Sequence, residues 1–208
     1  MARMGIETEV KIKIESADDF IGRVLSQGAD RVSERSFEDN ILFDFPDGRL
    51  RTAQCILRVR SVDGRGVLTY KGVPRAEGIF KSREELETAI EDPETAIEIL
   101  GRIGMRQGFR YQKYRQEFVF GRDCCKTFRD FAGGLPAIGS REKPGGVFIA
   151  VDETPIGNYA ELEGEEEEIL NLAGKLNIAE SQFIRLSYHA LYLDYCRVRE
   201  ITPQSMTF

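Results

Sequence analysis

Side chains of like charge recur two residues apart along this sequence. Glu7 and Glu9 form the first such pair, and Lys11 follows at the same interval. The other charged residues on strand-like stretches of this kind are Arg58, Arg60, Lys71, Arg83, Glu85, Glu87, Lys113, Arg115, Asp152, Glu161 and Glu163. Carboxylates bind hard divalent cations through their oxygens, and arginine and lysine bind phosphate. These residue types therefore indicate a site for a phosphate chain together with metal ions.

An interval of two residues places side chains on one face of a β-strand. In residues 5–15, GIETEVKIKIE, the charged residues alternate with Ile6, Thr8, Val10, Ile12 and Ile14. A charged face of this kind can be the solvated outer surface of an antiparallel sheet. However, like charges at neighbouring positions of a sheet repel each other, and a bound counter-charge gives a reason to keep them. The pattern favours a shared binding surface, although periodicity alone leaves open whether the charged faces converge.

The composition is typical of one globular domain, which we expect to span residues 1–208. The chain has 208 residues, of which 31% are charged, and its net charge is −6. This acidic balance argues against a general nucleic-acid-binding protein, but it allows a locally basic site for an anion. The N-terminus lacks the apolar core of a signal peptide, and no apolar run reaches the length of a membrane span. We therefore expect a cytoplasmic protein that binds neither nucleic acid nor membrane.

The cysteines and the single histidine are not expected to bind metal. Cys55, Cys124, Cys125 and Cys196 lack the paired spacing of a structural zinc site, so free thiols in a reducing cytoplasm are expected. His189 lies in an apolar helical stretch. It is predicted to be a packing residue rather than a catalyst.

The local patterns predict an α+β protein with a mainly antiparallel sheet or barrel of about eight strands. Helices are predicted for residues 18–27, 92–104, 165–176 and 181–199, with Ser16 and Asp92 capping the first two. Strands are predicted for residues 5–15, 31–45, 55–62, 67–73, 109–120, 147–154 and 156–164. Residues 79–90 fit either a helix or a strand. The glycine-rich residues 121–146 are predicted to be an extended loop.

Several of these motifs resemble the CYTH family, also called triphosphate tunnel metalloenzymes. Residues 7–11 (ETEVK) match its ExExK signature, and residues 46–60 (PDGRLRTAQCILRVR) are similar to the stretch that leads into two arginines. TYKG, SREELE, KYR and AELEG follow in the family's order, and Ser187-Tyr188 resembles its C-terminal helix motif. The resemblance covers nearly the whole chain. It implies an eight-stranded antiparallel β-barrel with a charged tunnel inside and helices outside, and it makes residues 79–90 a strand.

The resemblance also implies a role for each charged residue that matches a motif. The predicted ligands of Mg²⁺ or Mn²⁺ are Glu7, Glu9, Glu161 and Glu163, with Asp152 as a further ligand. Glu85 and Glu87 would serve a second metal ion or position a water, and with Lys11 they are the predicted catalytic residues. The predicted triphosphate-binding residues are Lys11, Arg58, Arg60, Lys71, Arg83, Lys113 and Arg115.

A few neighbouring residues have simpler interpretations. Glu117 and Lys13 continue the charged stripes, and a place at a tunnel mouth or in plain ion pairs is equally open for them. The acidic residues 165–168 lie at a helix N-terminus, where the helix dipole accounts for them. Tyr70, Tyr111 and Tyr188 are predicted to lie in the core or at the rim. The long segment 121–146 could be a lid over the tunnel or a surface excursion.

Two reactions fit this set of residues. In a triphosphatase, metal-activated water attacks the terminal phosphoryl group; in a class IV adenylyl cyclase, the ribose 3′-hydroxyl attacks the α-phosphate. No adenine-recognition motif stands out and hydrolysis is the simpler demand, so a hydrolase of tripolyphosphate, thiamine triphosphate or a nucleoside triphosphate is predicted, with the cyclase as the alternative. A non-catalytic binding module would not need the acidic residues. The expected partner is a small-molecule triphosphate, bound by a monomer or homodimer.

Overall fold

The computed structural model describes residues 3–75, 78–121 and 146–208. Its strands are β1 (Arg3–Ile14), β2 (Asp30–Arg31), β3 (Ser36–Asp44), β4 (Ile56–Val62), β5 (Arg65–Lys71), β6 (Lys81–Ile90), β7 (Arg106–Phe120), β8 (Val147–Thr154), β9 (Gly157–Glu163) and β10 (Phe183–Ile184). Its α-helices are α1 (Ala17–Ser26), α2 (Arg49–Thr52), α3 (Pro93–Arg102), α4 (Glu166–Lys175) and α5 (Tyr188–Arg199). No helix within these ranges is long and apolar enough to cross a membrane.

Eight antiparallel strands form a closed barrel, as the resemblance implied. The strand order is β1-β6-β5-β4-β3-β7-β8-β9, and β9 pairs with β1 to close the ring. The short strands β2 and β10 pair with β7 and β1. The hairpin from β4 to β5 turns at Asp63 and Gly64, which both have positive φ (48° and 77°), as a two-residue hairpin turn requires.

The apolar core lies between the outer face of the barrel and the helices. Its largest cluster joins α1 and α4 to the outward faces of β1, β7, β8 and β9. The buried residues of this cluster include Val10, Ile12, Phe20, Val24, Phe118, Ile149, Leu162, Ile169 and Leu172. Because side chains alternate along a strand, packing of the apolar faces outside turns the charged faces of the same strands into the barrel.

Most predicted elements are present, and two differ. Ser16 and Asp92 cap α1 and α3 as predicted, and residues 81–90 form a strand. The predicted strand 31–45 is interrupted between β2 and β3, because the backbone N–H groups of Val32 and Ser33 both donate to the Glu117 carbonyl. The final helix begins only at Tyr188, since the preceding β10 pairs with Lys11 and Ile12 of β1.

The helix α5 reaches one mouth of the barrel. Ser187 caps it by accepting from the Ala190 N–H, and Tyr188 packs with Phe109, Tyr111 and other aromatic residues. The N-terminal end of α5 therefore meets the barrel interior. The proposed lid or excursion at 121–146, with Cys124 and Cys125, lies almost wholly outside the described residues.

We expect the shell of helices to carry most of the stability. Leu172 of α4 is fully buried against the barrel, so Leu172→Ala should lower the free energy of unfolding by about 2–5 kcal/mol. Leu170→Ala is the matched control, because Leu170 lies on the same helix but is exposed, and it should cost less than about 1 kcal/mol. Urea denaturation followed by circular dichroism measures both. Equal losses for the two variants would contradict this view of the core.

Candidate active site

The barrel encloses a cavity of about 990 Å³ lined by the charged strand faces. All the predicted site residues lie in the described ranges, and those that line this cavity are Glu7, Glu9, Lys11, Arg58, Arg60, Lys71, Arg83, Glu85, Glu87, Lys113, Arg115, Glu161 and Glu163. Only Asp152 among them does not line it. The structure thus brings together predicted side chains that come from six of the eight barrel strands, and the convergence that periodicity left open is present.

Acidic residues of β1 face both cations and another acid. In the register of the sheet, Glu9 lies opposite Glu163 on one side and opposite Lys81 on the other. The Lys81 ammonium is 2.7 Å from the Glu9 carboxylate. Glu7 accepts from the Lys71 ammonium at 2.6 Å, and Lys71 is also 3.1 Å from Glu85. Each of these β1 carboxylates is therefore paired with at least one lysine.

A second chain of ion pairs continues around the wall from Lys11. Its ammonium lies 2.8 Å from Glu161 and 3.6 Å from Glu9. Arg115 donates to Glu161 on the other side and also to Asp152. Glu161 thus joins cations contributed by β1 and β7. This arrangement holds five predicted site residues in one connected network.

The opposite wall contains the arginine pair of β4. Arg58 and Arg60 both approach Glu87, at 3.4 and 3.3 Å, and Thr69 donates to the same carboxylate at 2.8 Å. Arg60 also lies 3.2 Å from Glu38 of β3. Glu38 in turn is 3.4 Å from the Lys113 ammonium. Glu87 therefore contacts both arginines, and Glu38 also contacts Arg60.

Asp152 lies behind the cavity wall and is fully buried. Its carboxylate accepts from Lys113 at 3.1 Å, from Arg115 at 2.6 Å and from the Tyr188 hydroxyl at 2.5 Å. The same Tyr188 ring lies under the Lys11 and Lys113 ammonium groups, with centroid distances of 5.1 and 5.3 Å, within range of a cation–π contact. Asp152 and Tyr188 thus orient cations that do line the cavity.

The electrostatics separate the two acids of β6. Burial, opposed by Lys71 and reinforced by Glu7 and Glu87, raises the pKa of Glu85 to about 8. Burial also acts on Glu87, but the attraction of Arg60 and Arg58 outweighs it and lowers the pKa of Glu87 to about 2. Neighbouring carboxyl groups with pKa values this far apart can hold different protonation states at neutral pH.

The other walls show the same competition between burial and charge. Burial raises the pKa of Glu9 and of Glu161, but the neighbouring lysines and Arg115 outweigh it and hold both carboxyls below their ordinary values. The pKa of Lys11 is raised because Glu161 and Glu9 outweigh its burial. Burial dominates at Lys81, where Glu9 opposes it only partly, and lowers the pKa to about 8. At neutral pH the wall therefore carries ionised acids beside cations.

Several buried donors in the wall have no protein partner. The Nε atoms of Arg58, Arg60 and Arg83 make no hydrogen bond to any described residue. The completely buried side-chain amide of Asn40 is also unpaired among these residues, but it does not line the cavity. Buried polar groups are ordinarily hydrogen-bonded, so unpaired N–H groups in a cationic cavity are suited to an anionic ligand with several oxygen atoms.

Sequence reasoning missed some residues of this wall. Lys81 lies on the same face of β6 as Arg83, which was the available signal. Glu38 of β3 also lines the cavity, but a single acid in a strand gave no pair to notice. Tyr111 and Tyr188 are buried in the core as predicted, yet their hydroxyl groups also contact Arg58 and Asp152.

Three further predictions have simple outcomes. Glu117 lines the cavity, whereas Lys13 is exposed. His189 packs against Phe109, with 4.5 Å between ring centroids. The two cysteines in the described ranges, Cys55 and Cys196, are free thiols.

The carboxylate oxygens are suitable ligands for a hard metal ion, but they are not already arranged as a metal site. Glu9 and Glu163 face each other in the register, and Glu161 follows on the same face of β9. Such oxygen donors suit Mg²⁺ or Mn²⁺. Among the described His, Cys, Asp and Glu side chains, however, no group of three is close enough to hold a metal ion. A bound metal would therefore have to exchange with the lysine and arginine contacts.

The chain is similar to known proteins over most of its length. The family model for the CYTH domain matches residues 5–188. The protein named "Putative adenylate cyclase MJ0240" from Methanocaldococcus jannaschii is 28% identical over 183 residues, which cover 88% of this chain and 96% of that protein.

Solved structures share the fold at lower identity. A "putative adenylate cyclase" from Vibrio parahaemolyticus has a TM-score of 0.67 and 20% identity, covering 89% of this chain and 97% of the other. The "putative adenylyl cyclase HpAC1" from Hippeastrum, which is described as revealing a dominant triphosphatase activity, has a TM-score of 0.61 and 17% identity, covering 94% and 96%.

The ion pairs of Glu38 should make stability depend on pH. Burial raises the pKa of Glu38, but Lys113 and Arg60 outweigh it, so the folded-state pKa is below the unfolded value. The stabilisation by ionised Glu38 is thus fully present above that unfolded value, about 4.3, and is lost progressively as pH falls from there through the lower folded-state pKa. Glu38→Gln should lower the free energy of unfolding by roughly 3 kcal/mol at neutral pH, and by progressively less below about pH 4.

Urea denaturation of wild type and variant over this pH range measures the difference. Glu153→Gln is the control, because Glu153 pairs with Arg35 at 2.6 Å in a partly exposed position, and its cost should stay within about 1 kcal/mol. A loss in Glu38→Gln that is the same at neutral and acidic pH would show that burial of the ionised pair is not its cause.

Proposed function

This chain belongs to the CYTH domain family, and from that premise we propose that it is a divalent-metal-dependent enzyme that hydrolyses the terminal phosphoryl group of a triphosphate compound. The observation that carries the proposal is the cavity wall, in which eight cationic side chains from the barrel strands converge. They are Lys11, Arg58, Arg60, Lys71, Lys81, Arg83, Lys113 and Arg115. A chain of three phosphates is the kind of ligand that matches so many convergent cations.

The unpaired donors support this choice of ligand. Arg58, Arg60 and Arg83 line the cavity, and within the described part of the chain the Nε–H of each has no hydrogen-bond acceptor; phosphate oxygens are good acceptors for arginine. The oxygen atoms of a triphosphate would accept hydrogen bonds from these Nε–H groups. They would also replace the carboxylates as partners of the lysines and arginines. The arginines and lysines would then position the phosphate chain and neutralise charge that develops during phosphoryl transfer, which is the main task of the protein in this chemistry.

The carboxylates support the metal requirement. Glu7, Glu9, Glu161 and Glu163 are the residues that would hold Mg²⁺ or Mn²⁺. Such an ion would polarise the phosphoryl oxygens and lower the pKa of a bound water. Glu85, which faces Lys71 at 3.1 Å, would orient the attacking water together with Glu87. Asp152 would act through Lys113 and Arg115, which it contacts directly, and its role as a metal ligand stays a prediction.

Part of the cavity is suited to an organic group attached to the phosphates. Beyond Arg58 and Tyr111, the cavity is lined by Leu42, Ile56, Leu57, Phe109, Leu186, His189, Pro203 and Gln204. These side chains are mostly apolar or aromatic, whereas an inorganic tripolyphosphate has no apolar surface to bury. The substrates we propose therefore include organic triphosphates.

Adenylyl cyclase is the second candidate. The Methanocaldococcus jannaschii relative carries that name at 28% identity, and an adenosine moiety would fit the apolar part of the cavity. The structural neighbour from Hippeastrum is described by a dominant triphosphatase activity, which favours hydrolysis as the first candidate. Both reactions need the same cations and acids, so only the products distinguish them.

The products of three substrates test the proposal. Tripolyphosphate, thiamine triphosphate and ATP are each incubated with the protein and Mg²⁺ or Mn²⁺, and the products are identified by mass spectrometry. We expect inorganic phosphate and the corresponding diphosphate, and no turnover with EDTA. Glu9→Gln is the control for a contaminating phosphatase and should lose at least about tenfold of the activity. Cyclic AMP and pyrophosphate from ATP would establish the cyclase instead, and binding without turnover would leave a binding module.

The apolar part of the cavity gives a separate prediction. Leu186 is 43% exposed and lines the cavity, so its truncation should hardly affect folding. Leu186→Ala should raise KM for thiamine triphosphate or ATP by about threefold to tenfold, because a contact with the organic group is lost. KM for tripolyphosphate, measured with the same protein preparation, is the control and should not change. An equal rise for all substrates would place the organic group elsewhere.

A further inference from the structure

Lys81 is the first residue of β6 and lines the cavity. It is not one of the residues that match a family motif. Its ammonium is 2.7 Å from the Glu9 carboxylate, and its side chain is 12% exposed. Lys11 is the other cation near Glu9, but it is 3.6 Å from Glu9 and only 2.8 Å from Glu161. Among the cations in the described ranges, Lys81 is therefore the closest counter-ion of Glu9.

The position of Glu9 explains why it needs that counter-ion. Glu9 is buried and lies opposite Glu163 in the register of β1 and β9, while Lys81 lies opposite Glu9 on β6. Acids that face each other across strands repel, and a buried carboxylate without a partner is costly. The Lys81 ammonium thus compensates the charge at the place where a divalent cation would be held most strongly by Glu9 and Glu163.

We propose that Lys81 is the resident counter-ion of Glu9, that a divalent cation displaces it, and that the released ammonium then contacts the phosphate chain. The proposal rests on the proposed function, because it assigns both metal and triphosphate to this cavity. A buried ammonium that loses its carboxylate needs another partner, and the lysine side chain is flexible enough to reach one. Phosphate oxygens are the partner that the loaded cavity would supply.

The exchange couples metal and substrate binding. Without triphosphate, the metal must compete with Lys81 for Glu9, and the displaced ammonium gains nothing in return. With triphosphate present, the ammonium finds an acceptor, so the metal binds more tightly. Since coupling between two ligands is reciprocal, the metal also strengthens triphosphate binding. Lys81 therefore favours binding of the metal–triphosphate pair over binding of free metal.

Replacement of the ammonium by a neutral side chain of similar length tests this exchange. We expect Lys81→Met to bind Mn²⁺ about tenfold more tightly than wild type in the absence of substrate, because the competing cation is gone. The free Mn²⁺ signal in electron paramagnetic resonance measures that affinity. With Mn²⁺ bound, the same variant should bind a non-hydrolysable tripolyphosphate analogue about tenfold more weakly than wild type by isothermal titration calorimetry, since the phosphate contact of the released ammonium is missing. In EDTA buffer, where Lys81 stays paired with Glu9, this difference should largely disappear.

Two further variants control the experiment. Lys13→Met removes an exposed lysine from β1 and should leave both affinities unchanged. Lys81→Arg keeps the cation and should bind free Mn²⁺ no more tightly than wild type, and Lys81→Gln replaces Lys81→Met if the latter fails to fold. Equal Mn²⁺ affinity in wild type and the neutral variant, or tight Mn²⁺ binding by Lys81→Arg, would overturn the inference. Failure of wild type to bind Mn²⁺ at all would instead contradict the proposed metal dependence and the inference together.

Discussion

The structure depends on the need to compensate every charge inside a closed barrel. Ionised groups lose most of their hydration when they are buried, and only close partners restore the energy. Lys71 with Glu7, and Arg115 with Asp152, have such partners at 2.6 Å. The apolar residues that would normally fill a small barrel lie outside it instead, under α1 and α4. The apolar core therefore lies between the helices and the outer face of the barrel, while the interior of the barrel is a charged cavity.

The internal ion pairs also prepare the barrel interior to replace these partners with a ligand and a metal ion. Each cation is held in place by an acid. Most of the entropy loss from ordering its long side chain therefore occurs on folding, before a ligand binds. A triphosphate and a divalent cation bring opposite charges of their own. In the function we propose, they would replace pairs such as Arg58–Glu87 and Lys81–Glu9 by pairs of the same kind. The divalent cation then offsets part of the negative charge that the triphosphate brings, which limits the desolvation that binding costs.

The sequence predicted the barrel interior well because its signal is local. Alternation along β1, β4, β6 and β7 placed Glu9, Arg58, Glu85 and Lys113 on charged faces, and motif order supplied the topology. Contacts between distant strands had no such signal. The Tyr188 hydroxyl reaches Asp152 at 2.5 Å only because α5 begins at the barrel mouth, and the late start of α5 follows from the pairing of β10 with β1. The interruption after β2 has the same origin, since it depends on a carbonyl of β7.

The acids inside the barrel bear on whether this protein binds anions or transforms them. A protein that only binds a polyanion gains from cations and loses from nearby carboxylates, because like charges repel the ligand. Here Glu7, Glu9, Glu161 and Glu163 line the same cavity as the cations. Neutral acceptors, such as the side-chain carbonyl oxygen of an asparagine or glutamine, could orient the lysines with less repulsion. Carboxylates become useful when they hold a metal ion against the phosphates or orient a water, and that requirement favours catalysis over passive binding.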